Sequence, residues 1–354
     1  LREARPDLQA LLTSQTLTAA DVAASAALPG LIHQMAPMDA PRSVGRFLDH
    51  WRPDAAVFAE GELWPNMLLG LQERGVPGAL VNARMTARSI RSWQGRRTSA
   101  ARLFKAFGFI GAADRQTAEG LESLLGRRPD TVGNLKLLGR VEPAPAALVA
   151  SWRTALEGRP VLLAASTHPG EDDLAIEAFL KARAFAPRAL LLIAPRHPER
   201  GEDIAALARR RALAAQLRSH GRGAPLPLVD LLIADTLGEM ALWYQLAAGV
   251  FLGGASVENV GGHNPIEPLS LGKTVFCGPH GYNFRDVLAP LESAGLVCVG
   301  VGAEALADYW RACLDAPPEG IEARLAAFVE TARRPYADTL AAILERLPAP
   351  SPHA

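Results

Sequence analysis

The chain has 354 residues, 49% hydrophobic and 21% charged, the composition of a globular protein with room for two ordinary domains. Lys plus Arg and Asp plus Glu both number 37, so no overall field favours nucleic acid. No apolar run reaches the roughly 20 residues of a membrane span and no signal-peptide pattern is visible. The three cysteines lack metal-ligand spacing, and Cys277 and Cys298, in apolar runs, read as core residues of a reducing compartment.

In chain order, Leu1-Arg2-Glu3-Ala4-Arg5 has helical character, and with no methionine ahead of it the chain reads as a fragment lacking its first part. Short apolar runs then alternate with helical stretches. Ala55–Ala59 is a strand candidate ending at Glu60, Leu68–Arg74 a helix stopped by Gly75, and Gly78–Val81 and Phe107–Ile110 further strands. The Pro/Ala-rich Val141-Glu142-Pro143-Ala144-Pro145 reads as a linker, dividing the chain into 1–145 and 146–354. Beyond it, strands are expected at Val161–Ser166, Ala189–Ala194, Leu231–Ala234, Val250–Leu252, Val275–Cys277 and Leu296–Val299. Helices are expected to start near Glu171, Arg200, Gly238, Asn264, Phe284 and Ala303. Such alternation favours parallel sheets with helices on both faces, hence two Rossmann-like domains facing across a cleft, with ligands at the carboxyl ends of the strands.

The most informative stretch runs from Gly253 to Pro268. It follows a buried-type strand, and its four glycines are expected to let backbone N–H groups approach a ligand closely. Asn264 is placed to cap a helix begun by Pro265, a helix start suited to a phosphate, and Glu267 one turn in can accept hydrogen bonds from a ribose. The layout suggests a nucleotide-sugar site, against the plainer reading of a flexible strand-to-helix loop. Gly272-Lys273-Thr274 mimics the end of a Walker A loop, but Glu267 stands where the motif needs a glycine, and no dinucleotide fingerprint occurs.

The other clusters also fall at strand ends. Glu60 and Glu62, beside Trp64 and Pro65, either balance developing positive charge on a substrate or serve a helix N-terminus. In Ser166-Thr167-His168-Pro169-Gly170-Glu171-Asp172-Asp173 the acids read as helix-dipole partners rather than metal ligands, while Ser166 or Thr167 can reach a sugar or phosphate oxygen. Arg196 suits an acidic nucleotide sugar through bidentate pairing, and His197, between prolines, reads as a structural hydrogen-bonder. Asp235 or Thr236 can cap the helix that follows them. Gly278-Pro279-His280 and Asn283-Phe284 close the set. Arg84, Arg88, Arg91, Arg96 and Arg97, interleaved with Trp93, form either a solvated helix face or a patch for a phosphorylated or anionic-membrane partner. No His/Cys cluster suggests zinc, and no Gly-x-Ser-x-Gly suggests a serine hydrolase.

Together the motifs resemble those of the 3-deoxy-D-manno-octulosonic acid (Kdo) transferases of lipopolysaccharide synthesis. The matching stretches are Glu60–Asn66, Asn82–Ser89, Gly133–Lys136, Ser166–Glu171, Pro195–Arg200, Asp235–Glu239, Gly261–Pro268 and Gly278–His280, in the family's order over nearly the whole chain. The resemblance implies a GT-B fold and transfer of Kdo from CMP-Kdo to the lipid A precursor, lipid IVA, at the cytoplasmic face of the inner membrane. It implies inversion of the anomeric centre with neither metal nor cofactor, and no nucleic-acid partner. Carried over, Pro195, Arg196, Leu237, Gly238, Glu239, Asn264, Pro265, Ile266 and Glu267 would bind CMP, and Glu60 and Lys136 would stabilise the transition state.

Two departures stand out. The family's catalytic base is a glutamate in a Ser-Val-Gly-Glu-like segment that follows a membrane-anchoring helix, and neither is found in this sequence. The chain as given is therefore expected to be impaired. Gly61 and Leu237 depart only mildly, since the family usually has threonine in place of the former and methionine in place of the latter. The competing readings are a GT-B glycosyltransferase using another nucleotide sugar and a non-catalytic CMP-binding relative.

Overall fold

The computed structural model describes the chain except residues 2, 26, 27, 62, 140, 222–227 and 350–354, and except the side chains of residues 25, 285, 286, 331 and 332. The chain divides into two compact units, Leu1–Leu135 with Ala332–Ala354, and Lys136–Thr331.

The first unit opens with β1 (Ala10–Ser14), α1 (Leu17–Ser25), β2 (Leu31–Met35) and α2 (Pro41–Trp51). It continues with β3 (Ala56–Ala59), α3 (Pro65–Glu73), β4 (Gly78–Ala83), α4 (Ala87–Gln94) and α5 (Arg97–Phe104). β5 (Phe107–Ala112), α6 (Arg115–Leu125) and β6 (Thr131–Val132) complete the alternation. β1 pairs in parallel with β2, and β3-β4-β5-β6 form a parallel sheet in sequence order. Leu68, Leu80, Ile110 and Leu121 are its buried centre. The β1–β2 pair is absent from the sequence expectation: Ala10–Ser14 turns polar after Leu12 and no residue along it is fully buried. Where Leu1–Arg5 has helical character in sequence, Glu3 and Ala4 form a turn, with the Arg5 N–H donating to the Leu1 carbonyl at 2.8 Å; Pro6 follows.

The second unit starts with α7 (Ala146–Ala155), β7 (Val161–Thr167), α8 (Glu171–Ala182), β8 (Leu190–Pro195) and α9 (Gly201–Arg210). β9 (Ala215–Leu217), β10 (Leu231–Ile233), α10 (Met240–Leu246), β11 (Ala247–Leu252) and α11 (Ile266–Ser270) follow. Then come β12 (Val275–Cys277), α12 (Arg285–Ser293), β13 (Val297–Val299), α13 (Gly302–Asp315) and α14 (Ile321–Leu344), whose later turns belong to the first unit. Among the described residues the strands form one parallel seven-stranded sheet in the order β13-β12-β11-β7-β8-β10-β9. Its strands are near-continuous apolar runs because both faces are covered. α8, α9 and α13 supply Phe179, Ile204 and Trp310 to one face, against Leu162, Ile193 and Phe251. α10 packs on β7 and on α7, where Trp152 meets Trp243 edge to face at 4.9 Å.

The first strand in sequence, β7, lies inside the sheet, and the chain winds away from it in both directions. Such a reversal opens a crevice at the strands' carboxyl ends. The helix starts expected in the second unit lie within two residues of those observed, whereas the helix expected from Leu68 in the first unit starts three residues earlier, at Pro65. Cys298 departs from expectation: it is exposed, because β13 is the sheet's edge strand, whereas Cys277 is buried. The expected linker Val141–Pro145 is irregular but attached, the Ala144 N–H donating to Gln245 Oε1 at 2.8 Å within the second unit. Where the sequence divides the chain once, after 145, the units divide at Lys136 and again at Ala332. The end of α14 returns to the first sheet, with Ile343 against Ala79 and Phe109.

Leu163 on the central strand β7 is fully buried, so Leu163→Ala should lower unfolding free energy by about 2–5 kcal/mol in urea titration. Leu237, 73% exposed, should tolerate alanine within about 0.5 kcal/mol.

Candidate functional site

In the second unit the candidate residues collect at the carboxyl ends of β11, β7, β8 and β10, which are neighbours in the sheet. What holds them is Glu171, the first residue of α8 and fully buried. Its carboxylate accepts from the His168 N–H at 2.9 Å, the Gly254 N–H at 2.7 Å and the Ser256 N–H at 3.0 Å. The turn after β7 is thereby fastened to the loop after β11. Burial raises the Glu171 pKa, and the three N–H groups oppose the rise by favouring the ionised form.

This corrects the sequence reading in two respects. Glu171 is more than a dipole partner, since it organises two loops. The glycine loop is also less a phosphate cradle than expected: the Gly253, Gly254, Ser256 and Gly262 N–H groups are taken by Ala165, Glu171 and Gly254 acceptors. Gly253 is glycine because a Cβ would lie 2.6 Å from both Glu171 Oε2 and the Ser166 carbonyl. Gly254, at φ +80°, would press a Cβ to 2.9 Å from the His263 ring. Gly278–Phe284 supports the loop from behind, with the His280 N–H on the Ala255 carbonyl at 2.8 Å and Asn283 Nδ2 on the Val260 carbonyl at 3.1 Å.

The other acids of α8 are similarly engaged. Asp172 accepts from Thr167 Oγ1 at 2.6 Å and from Arg200, whose Nη1 also donates to the Thr167 carbonyl at 3.0 Å. Arg196 is exposed just beyond β8, its N–H donating to the Thr167 carbonyl at 3.0 Å, and Pro195 is buried at the strand end. His168 and His263 lie within this cluster. Their Nε2 atoms are 2.9 Å apart and the ring planes are nearly parallel, at 11°, with centroids 5.1 Å apart, so the rings meet end to end, while His197 meets His168 edge-on at 6.2 Å. Burial, reinforced by the neighbouring histidine and Arg196, pushes the His263 pKa down to about 4, and burial together with His197, Arg196 and Arg200 lowers that of His168. Sequence reasoning passed over both rings, which are 95 residues apart. The available signal was that each directly follows a strand-end or glycine-loop motif.

Asn264 Oδ1 accepts from the Ile266 N–H at 3.1 Å, as a cap does, and Pro265 stands just ahead of the first helical residue. α11 is only five residues long, so its dipole is small, and the nearby guanidinium of Arg196 is the stronger attraction for an anion. Ile266 is buried, and the part-buried Glu267 has its pKa raised by desolvation and partly restored by Asn264. After β10, Leu237 is exposed and Gly238 has φ +85°. Glu239 is gripped by Arg218, with Nη2 on Oε1 at 2.7 Å, and accepts from Thr236. Arg218 in turn covers the Trp152 ring at 5.6 Å. Thr236 thus serves Glu239 rather than capping α10, and Asp235 binds Ser219. Lys273, in the false Walker A match, donates to the Ala247 carbonyl at 2.6 Å and is structural.

In the first unit Glu60 directly follows β3 with φ 60°, a left-handed conformation costly for a non-glycine residue, and its N–H donates to the Val81 carbonyl at 3.0 Å. Glu62 lies outside the described residues. The N-terminus of α3 is served by Asp39, whose Oδ1 accepts from the Met67 N–H at 2.9 Å and Oδ2 from the Asn66 N–H at 3.2 Å. Buried Asn82, also left-handed at φ 51°, accepts from the Leu135 N–H at 2.9 Å and so holds the segment leading to Lys136. Lys136 lies in the 3-10 turn Leu135–Leu138 and is the first residue of the second unit.

Glu171→Ala leaves three backbone N–H groups without their acceptor, so it should destabilise by about 3 kcal/mol in urea unfolding. For His263, a folded pKa below the unfolded 6.5 means that the unfolded chain binds the proton first. Its contribution is complete above pH 6.5 and is lost as pH falls toward 4. Stability measured over that window should fall less steeply in His263→Gln than in the wild type, by up to about one bound proton.

Residues 1–138 match the family model described as 3-Deoxy-D-manno-octulosonic-acid transferase (kdotransferase). The chain is 36% identical over 314 residues to the 3-deoxy-D-manno-octulosonic acid transferase of Bordetella pertussis, covering 84% of this chain and 68% of that protein. It is 30% identical over 317 residues to the Haemophilus influenzae protein of the same name, covering 86% and 72%. A crystal structure of a glycosyltransferase from Rickettsia africae aligns with TM-score 0.60 at 12% identity, covering 95% of this chain and 88% of that one. At that identity the likeness shows the fold alone, the two-domain α/β architecture of GT-B glycosyltransferases. With more than two thirds of a relative covered at 36% identity, the chain belongs to the 3-deoxy-D-manno-octulosonic acid transferase family of glycosyltransferases.

Proposed function

We propose that the protein transfers Kdo from CMP-Kdo to the lipid A precursor lipid IVA in lipopolysaccharide core synthesis, with inversion and without a metal. The observation that carries this reading is the 36% identity to the Bordetella pertussis Kdo transferase across 84% of the chain. In the second unit, Arg196 pairs with the donor phosphate beyond Pro195. Asn264, Pro265, Ile266 and Glu267 form the turn whose carboxylate accepts from the ribose hydroxyls. Leu237 and Gly238 offer backbone at the end of β10, and Glu239, locked to Arg218, fixes their course.

The transition state resembles an oxocarbenium ion as the sugar leaves the phosphate. Glu60 offsets its positive charge, and Lys136 offsets negative charge on the donor carboxylate or the leaving phosphate. The left-handed backbone of Glu60 supports a positional role, because such a conformation persists only where its surroundings enforce it. Metal-independence is consistent with Glu171 and Asp172 being engaged by backbone N–H groups, Thr167 and Arg200.

The acceptor and the inner-membrane surface are read from the family and from the first unit. Arg88, Arg91, Arg96 and Arg97 are exposed on α4, α5 and the turn joining them. A shallow groove beside them is lined by Arg97, Arg102 and Lys105 with Leu124 and Leu125, a mix of cation and apolar surface suited to an anionic lipid. Among the described residues no helix is long and apolar enough to cross a membrane.

Calorimetry with CMP tests the donor reading. Wild type should bind CMP more tightly than UDP, and Glu267→Ala should weaken CMP by about 1–3 kcal/mol, the cost of losing a part-buried polar partner. Equal binding of UDP would favour another nucleotide sugar. In a transfer assay with CMP-Kdo and lipid IVA, Glu60→Gln should lower kcat by about 100-fold with little change in KM.

A further inference from the structure

We infer that the His168–His263 pair takes up a proton when the phosphate of a nucleotide-sugar donor binds beside Arg196, so that donor binding is proton-linked through these two rings. The inference rests on the donor reading above and goes beyond it, since it assigns a role to two side chains outside the CMP-binding set.

The geometry begins with the Nε2···Nε2 distance of 2.9 Å. At that distance one ring donates and the other accepts, so the accepting Nε2 carries no proton. With its Nδ1 protonated that ring is neutral, and the donating ring is neutral if its own Nδ1 is bare. The pair therefore holds one open proton site, the bare Nδ1, which it can fill without breaking the contact. Filling it turns an acceptor into a donor and gives the pair one positive charge, the form that suits an anion.

Burial, and after it the surrounding charges, keep that site empty in the free protein. Beyond β8 stand Arg196, His197 and Arg200, all disfavouring a further positive charge on His168, and Arg196 and His197 act on His263 in the same sense. From α8, Asp172 favours protonation of His168, but it already bonds Thr167 and Arg200. Glu171, from the same helix, is bonded to three backbone N–H groups, and Glu199 lies 3.6 Å from His197 Nδ1. Gly254 contributes no charge and leaves room for the His263 ring. An anion placed on Arg196 cancels the repulsion from that guanidinium and adds an attraction of its own. Both changes raise the proton affinity of the pair toward that of an ordinary imidazole. The proton comes from solvent, no bond of the ligand breaks, and uptake reverses on release.

The test is calorimetric binding of the methyl ester of CMP, a phosphodiester that does not titrate near neutral pH, in buffers of different ionisation enthalpy. At pH 6 the wild type should take up roughly 0.5–0.8 proton per ligand bound, and Kd should tighten about tenfold between pH 8 and pH 5.5. Cytidine, which lacks the phosphate, should bind with no uptake. His263→Gln and His168→Gln should each reduce uptake below about 0.2 proton, whereas His197→Gln, outside the 2.9 Å contact, should retain it. Either pair variant suffices if the other fails to fold. Tight binding of the diester with no proton uptake, or equal uptake in all variants, would overturn the inference and leave the donor reading standing. No binding of the diester or of CMP at any pH would overturn both.

Discussion

One buried carboxylate sets the geometry of the second unit's strand-end crevice. Glu171 has no solvent exposure, and burial opposes its charge. It is retained by three backbone N–H groups from two loops far apart in sequence. A buried charge without such partners would cost several kcal/mol, so the loops and the carboxylate hold one another in place. His168 and His263 are brought within hydrogen-bond distance as a result, and the turn carrying Asn264 and Glu267 starts from a fixed point. The glycines belong to this arrangement: Gly253 admits the carboxylate and Gly254 admits the His263 ring.

Charge pairs around this carboxylate then hold the neighbouring turns. Asp172 and Arg200 tie the turn after β7 to the one after β8, and Glu239 and Arg218 hold the turn after β10. With these cations paired, Arg196 remains exposed at the end of β8, beside two rings held largely neutral by burial. On the proposed reading, this site attracts a phosphate through one guanidinium and adjusts its own protonation to the ligand. The first unit uses backbone strain in place of buried charge. Glu60 and Asn82 both adopt left-handed conformations, just after β3 and within β4, and Asp39 takes the role at the α3 N-terminus that the sequence offered to the acids after β3.

Much of this was legible in the sequence. Apolar runs such as Val161–Ser166 and Val275–Cys277 mark buried parallel strands because both faces of the sheet are covered, so no alternation is needed. The half-buried β1 and β2 lack that signal and were not legible, and Cys298, apolar in its surroundings along the chain, is exposed because β13 has a neighbour on one side only. Motif order likewise disclosed the family, since its motifs are contiguous stretches that can be read without knowing what lies beside them in space.

By itself, then, the sequence determined the alternation of strands and helices, the two-domain α/β class, the family and the strand-end segments proposed to carry its chemistry. Only the tertiary structure decided what each polar group in those segments does. Glu171 and Asp172 are adjacent and look alike as helix-start acids, yet one fastens the glycine loop and the other holds Arg200. The His168–His263 contact joins residues 95 positions apart. Local patterns are set by the dihedral and burial preferences of neighbouring residues, and these are written along the chain. Hydrogen-bond partners and proton affinities depend on distance in space and on burial, which arise only when β11 lies beside β7.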